Sequence, residues 1–298
     1  LFYGCDLAAS ADGQKLVDSI STLTGADVAA SDDDTGHAIF GADWDLEYAT
    51  GQIETQIAFS QSAQDNWGHV MNVAVDATST GTIANGNVSD TISHTTSGTN
   101  RLLLVAVSFG EDKDRSVSSV TYNGTNLSLV GARDNSDSSK SRVEIWSLVA
   151  PVVGTHDVVV NLTGSDHSGA TIGVMSFTDV DQATPLGTFA SAQGDSSTAS
   201  TTVSSATGEL VFGVVAVEAS TNFNLVPGAG QTEQWDLFAN DKGNGGGSIE
   251  AGAASVATSW TWGSTDKWVV GGVSIRQHVT GSESTSFQQG TSGYAGTQ

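Results

Sequence analysis

The chain of 298 residues has one cysteine, three prolines and ten Lys+Arg. A single cysteine can form neither an internal disulfide nor a zinc cluster, so the fold has no covalent or thiolate staple. Ten cations stand against 33 Asp+Glu, for a formal net charge of −23. No basic patch for nucleic acid or for an anionic membrane can be assembled from so few cations. No apolar run reaches the ~18 residues needed for a membrane-spanning helix, so membrane insertion by a helix is excluded. Charged residues make up only 14%, which leaves few Glu/Lys pairs to support solvent-exposed helices. Nucleophile elbows, phosphate loops and dinucleotide fingerprints are also missing.

Gly, Ser, Thr, Asn and Ala fill the gap, a composition typical of secreted β-proteins. With 38% apolar residues the chain can still bury a substantial core. It opens on Leu1-Phe2-Tyr3, apolar and strand-like, which reads as a processed product or a segment of a longer polypeptide.

Residues 1–56 differ in texture from the rest. Leu1–Cys5 reads as a short strand. Leu16, Val17, Ile20 and Leu23 then recur at helical spacing, and Gly25 supplies a stop. Ala26–Ala30 can return as a strand, and Trp44–Tyr48 alternates before a turn at Thr50-Gly51. The pattern predicts a small β-α-β-β unit. About half of the net charge lies in residues 1–81, where Lys15 is the only cation.

Three blocks carry a resemblance: Tyr3-Gly4-Cys5-Asp6-Leu7-Ala8-Ala9, Leu23-Thr24-Gly25-Ala26-Asp27-Val28-Ala29-Ala30-Ser31, and Gly41-Ala42-Asp43-Trp44-Asp45-Leu46-Glu47 with Thr50-Gly51-Gln52-Ile53-Glu54. They resemble the C-terminal end of the DUF4347 domain, found near the N-terminus of very large bacterial surface and adhesin-like proteins. That family is related to caspase-like peptidases, in which a His-Gly pair on an earlier strand works with a cysteine ending the next. The resemblance places Cys5 at the nucleophile position. The matching histidine would lie upstream of Leu1, and a thiol with an unperturbed pKa near ~8.5 needs such a base. Cys5 is therefore expected to be a small structural residue in this chain, catalytic only beside a fragment bearing that histidine.

Residues 57–81 read as a bridge, with apolar Phe59, Trp67, Val70 and Met71 among linker-like Ser, Thr and Gly. Residues 82–279 read as β throughout: short apolar or alternating runs recur between Asn, Asp and Gly turns, as in a jelly-roll-like antiparallel β-sandwich. A weak internal repeat is visible. Arg101–Val107 parallels Glu209–Val215, and Ala170–Phe177 parallels Lys267–Ile275, which suggests two interlocked four-stranded halves. Residues 280–298 form a Ser/Thr/Gly-rich tail whose composition favours disorder unless a neighbouring subunit orders it.

Aspartate clusters are the commonest chemical feature: Asp32–Asp34, Asp112 with Asp114, Asp134 with Asp137, and Asp179 with Asp181. Hard oxygens in loops suit calcium, the one cofactor considered, and Asp179/Asp181 closes a strong strand. Most of these acids are expected to be solvated turn residues. Glu144 and Glu250 lie within predicted strands and could in principle frame a glycosidase cleft, although solvent-facing strand positions are the simpler reading. Trp260 and Trp262 share one strand face. Outward they would stack on sugar rings; inward, the favoured reading, they are core.

Val143-Glu144-Ile145-Trp146, Gly154-Thr155-His156 and Val180-Asp181-Gln182 with Pro185-Leu186 resemble the sandwich modules beside DUF4347 in bacterial surface proteins. The combined expectation is a non-enzymatic, extracellular structural or adhesive segment of a large cell-surface protein. Its main partner would be itself, in a filament or surface layer built by strand donation, and surface glycans are the second partner class. The rival readings are a carbohydrate-binding module and a fragment of a caspase-like cysteine peptidase.

Overall fold

The computed structural model describes residues 1–4, 6–36, 43–53, 59, 73–111, 114–135, 141–239 and 243–278. Cys5, Asp112, most of the bridge and the tail from residue 279 lie outside the described residues. The chain is mainly β, with antiparallel sheets and, among the described residues, one helix, near the N-terminus.

The N-terminal unit has the predicted β-α-β-β order, with strands shorter than expected. Phe2 bridges Ala30 in parallel, α1 spans Ala11–Thr24, and β1 (Ala29–Ala30) pairs with β2 (Tyr48–Ala49). Ser10 caps α1 by accepting from the Gly13 N–H. Gly25 ends it with φ of 67°, its N–H donating to the Ser21 carbonyl, a left-handed conformation that costs glycine little. Val17 and Ala8 pack on Val28 and Ala30 to form a small separate core.

The β region holds three sheets. A five-stranded sheet runs β3 (Ala74–Ile83), β11 (Ala170–Thr178), β5 (Leu102–Phe109), β9 (Arg142–Val149), β8 (Ser128–Asp134). A four-stranded sheet, β4 (Ser89–Thr96), β10 (Gly154–Leu162), β6 (Val117–Tyr122), β7 (Thr125–Asn126), covers one face of it. A six-stranded sheet covers the other: β12 (Ala190–Val203), β17 (Val256–Ile275), β13 (Leu210–Glu218), β16 (Gly243–Ala251) and β15 (Thr232–Phe238), with β14 (Val226–Pro227) on β17.

Alternation decides which residues fill which core. In β5, Leu102, Leu104 and Ala106 face the six-stranded sheet, while Leu103, Val105, Val107 and Phe109 face the four-stranded one. A strand buried on both faces has to be apolar at every position, and β5, β11 and β13 are so in nearly all of theirs.

The internal repeat falls on equivalent strands. The orders β3-β11-β5-β9-β8 and β12-β17-β13-β16-β15 correspond one to one, and both β8 and β15 carry a bulge at the same place against their partner, at Leu129/Gly131 and at Glu233/Trp235. Across the shared core β3 lies opposite β15 and β12 opposite β8, while β11 faces β16 and β17 faces β9. The two sheets are therefore related by an approximate two-fold axis, the arrangement of a symmetric dimer within one chain. Each half also has its own cover. In the second half, β12 and β17 are long enough to bend back over the outer face of β13, so that their far ends with β14 stand where β4, β10 and β6 stand in the first.

Several strands differ from the expected ones. β3 starts at Ala74, within the segment read as a bridge, so Gly81 lies inside a strand rather than at a boundary. Residues 248–257, which read as one alternating run, are split between the end of β16 and the start of β17. β4 and β12, rich in Ser and Thr, carry no apolar run and were not legible as strands.

Candidate functional site

The two tryptophans proposed as a sugar platform are core. Trp260 is 0% and Trp262 8% exposed, packed with Val215, Val217 and Val270 beneath the folded-back ends of β12 and β17. Neither presents a face to solvent, which corrects the stacking-platform reading.

The aspartate pair closing β11 serves the backbone. Asp181 Oδ1 accepts from the N–H groups of Ala183 (2.7 Å) and Thr184 (2.8 Å). The Thr184 bond is the main reason that its carboxyl is held below the usual range. Asp179 sits at φ 57° and accepts from the His278 N–H through its carbonyl. Asp114 is exposed in a left-handed turn at φ 67°. Among the described residues neither Asp179/Asp181 nor Asp114 belongs to a convergent set of three metal-ligating groups. Among the described residues that set is Asp32, Asp33 and Glu47, whose ligand atoms lie within 4.8 Å of one another. All three are exposed, and Glu47 already accepts from the Asp32 N–H. Partial desolvation and the charges of Asp43, Glu47, Asp32 and Asp34 raise the Asp33 carboxyl. Glu47 was not singled out in the sequence, because it reaches this cluster only through the pairing of β1 with β2.

Glu144 and Glu250 do not frame a cleft. Glu144, 1% exposed, accepts from Val117 N–H (3.0 Å), Arg142 Nε (2.6 Å) and Trp146 Nε1 (2.9 Å), and Arg142 also pairs with Asp134. This is a fully satisfied buried ion pair that ties β6 to β9. Glu250 lies on β16 in the other half of the chain, on the sheet face away from the shared core, and burial raises its carboxyl.

A second buried polar group lies at one end of the first sandwich. His94, 1% exposed, shares a 2.9 Å hydrogen bond through Nδ1 with Ser79 Oγ, and its Nε2 has no hydrogen-bond partner among the described residues. Burial lowers its pKa, against the pull of nearby Asp76. Burial pushes the Asp76 carboxyl up, but bonds from Ser97 and Ser176 outweigh it and hold it low. Serine, histidine and aspartate thus meet, but the serine is on the Nδ1 side and the carboxylate is saturated by other hydroxyls. This is not the geometry of an activated nucleophile.

Two concavities open beside Glu209, near the start of β13. The larger, about 500 Å³, is lined by Gly4 and Asp6 on either side of Cys5, with Val73, Glu209, Leu210 and Gln277. No described histidine lines it. The smaller, about 490 Å³, lies along Thr188, Thr202, Ser204, Ser205, Glu209 and Arg276. Its residues come from four separate chain segments, so no sequence signal pointed to it.

No curated protein matches the chain. Residues 1–71 match the family model described as Domain of unknown function (DUF4347), so the resemblance carried by Tyr3–Ala9, Leu23–Ser31 and Gly41–Glu54 reaches beyond residue 56, and the chain carries this domain ahead of its β-sheets.

Proposed function

We propose that the chain is a non-catalytic structural segment of a large secreted bacterial surface protein, and that it self-associates through open sheet edges into a filament or surface layer. The observation that carries this reading is β12. Among the described residues it is an edge strand of 14 residues, in two runs on either side of an irregularity at Ser196/Thr198, with no proline, no Lys or Arg and Asp195 as its one charge. Natural proteins usually blunt such edges with short strands, charges or bulges, because unpaired N–H and C=O groups template another strand. Both edges of this sheet carry an irregularity, but β15 is also blunted by its length of seven residues and by the acids Glu233 and Asp236. Leaving β12 open beside a protected β15 suits a strand that meets a partner.

The test is sedimentation velocity across a concentration series, with negative-stain imaging of the same samples. Concentration-dependent assembly is expected for the native chain, and the double variant Thr198→Lys/Ser200→Lys, at exposed β12 positions, is expected to remain monomeric. Monodisperse monomers of the native chain at high concentration and salt would overturn the reading.

A further inference from the structure

We propose that the groove along Thr188, Thr202, Ser204, Ser205, Glu209 and Arg276 binds a neutral saccharide unit. Its volume, about 490 Å³, lies within the range of small-molecule sites. The wall is built by the bend of the β12–β17 ribbon. Thr188 precedes β12, Thr202 lies near its far end, and Ser204, Ser205 and Glu209 follow in the turn to β13; Arg276 follows β17.

The chemistry of the wall selects the ligand class. Ser205 Oγ is taken up by Ala253, donating to its carbonyl and accepting from its N–H, but the exposed hydroxyls of Thr188, Thr202 and Ser204 can both donate and accept, which matches the hydroxyls of a sugar. Glu209 and Arg276 add one acceptor and one donor of opposite charge at the same place, with Arg276 Nε 4.0 Å from Glu209 Oε1. The carboxylate is fixed by the Ala206 N–H at 3.0 Å, and the guanidinium reaches the Thr184 carbonyl at 3.4 Å. Arg276 is still 44% exposed, so part of its donor fork remains for a ligand. Pairs of this kind can hold two adjacent sugar hydroxyls, one by donation and one by acceptance.

The alternatives fit less well. An anion would meet Glu209 and a chain of net charge −23. A cation would find one carboxylate already engaged by a backbone N–H and opposed by Arg276. An apolar ligand would cut the exposed hydroxyls of Thr188, Thr202 and Ser204 off from water. Among the described residues no aromatic ring lines the groove, so affinity is expected to be modest, with dissociation constants of about a millimolar. Such a site becomes effective when many copies are displayed together, since avidity multiplies weak contacts by roughly 10²–10⁴. The proposal does not depend on the β12 edge being an assembly surface, and it replaces the buried Trp260 and Trp262 with a solvent-accessible site.

The experiment is a ¹H–¹⁵N NMR titration of the full chain with three probes: maltose, cellobiose and methyl β-D-glucuronide. At least one neutral disaccharide is expected to shift amide resonances at residues 187–190, 202–209 and 274–277. Arg276→Gln should weaken that binding about tenfold and Thr202→Val about fivefold, with the remaining spectrum unchanged. Thr202→Val conserves shape at an exposed position, so it reports on the hydroxyl even if Arg276→Gln perturbs the turn. No saturable shift with either disaccharide at about 50 mM, far above the expected dissociation constant, would overturn the proposal. Shifts located elsewhere, or tighter binding of the glucuronide, would do the same. Sedimentation of the same variants reads self-association separately, so loss of one property is distinguishable from loss of the other.

Discussion

The indole of Trp235, on β15, occupies the space that a Cβ on Gly173 would need, across the shared core on β11. It also fills the position of a Cβ on Gly247, its cross-strand neighbour on β16. The approximate two-fold axis repeats this relationship with different residues. Gly131 is the β8 equivalent of Trp235, and the room it leaves is taken by Phe189, which also lies against Gly271, the equivalent of Gly173. Each corner of the shared core is thus closed by one aromatic ring seated on glycines. Gly173→Ala is expected to destabilise the chain by about 1–3 kcal/mol through overpacking, and Trp235→Ala by about 3–5 kcal/mol through the cavity it leaves. Denaturant midpoints for the two variants check this, with Gly263→Ala, which has open space around it, as the neutral control.

The apolar half of this architecture could be read in the sequence. Strands β5, β11 and β13 announce themselves as apolar runs, and their pairwise resemblance marked the repeat. The helix ended where Gly25 requires. What escaped was everything whose burial comes from neighbours rather than from its own side chains. β12 is held by 13 residue pairings to β17 and is mostly Ser, Thr, Ala and Gly, with Val203 as its one large aliphatic residue. Residues 243–247 of β16, glycine at four of five positions, are buried because Trp235, Trp260 and Thr171 lean on them. Trp260 and Trp262 were ambiguous for the same reason, since period two gives a shared face but not whether a second layer covers it. The groove at Arg276 needs the bend of a 20-residue strand, a tertiary fact.

Glu144 accepts three hydrogen bonds inside the first sandwich, so an amide in its place must turn an NH₂ group toward a donor. Glu144→Gln is expected to cost about 2–4 kcal/mol, and Arg142→Leu a comparable amount by leaving the carboxylate unpaired. Because Trp146 Nε1 donates to the same carboxylate, its emission should shift in Glu144→Gln even under conditions where the chain stays folded.

His94 gives the stability a defined pH dependence. Its folded pKa lies below the ordinary histidine value, so the unfolded chain takes up a proton first as pH falls. Stability is complete above the unfolded pKa of about 6.5 and falls below it, by at most about 1.4 kcal/mol per pH unit for one group, until the folded pKa is passed. Asp76, whose folded pKa is depressed, adds a second loss at more acid pH, as its own carboxyl protonates. His94→Asn still offers a partner to Ser79 but cannot titrate. Urea midpoints between pH 5 and 7.5 should therefore fall for the native chain and stay flatter for the variant. Equal slopes would show that another group sets the dependence.

The charge makes the last prediction, and it concerns assembly. Of the net −23, about half lies in the first 81 residues and the rest is spread over the β-sheets, so any two copies repel along their whole length. Pairing β12 edges brings these charges within a few tens of ångströms of one another. The screening length is about 30 Å at 0.01 M salt and about 8 Å at 0.15 M. Raising sodium chloride across that range should therefore increase the sedimentation coefficient of the native chain at fixed concentration. The edge variant Thr198→Lys/Ser200→Lys separates screening from edge pairing. It is two units less negative and so repels less, yet it should assemble less at every salt concentration if β12 is the contact. Assembly that follows net charge alone, with the lysine variant ahead of the native chain, would move the contact away from β12.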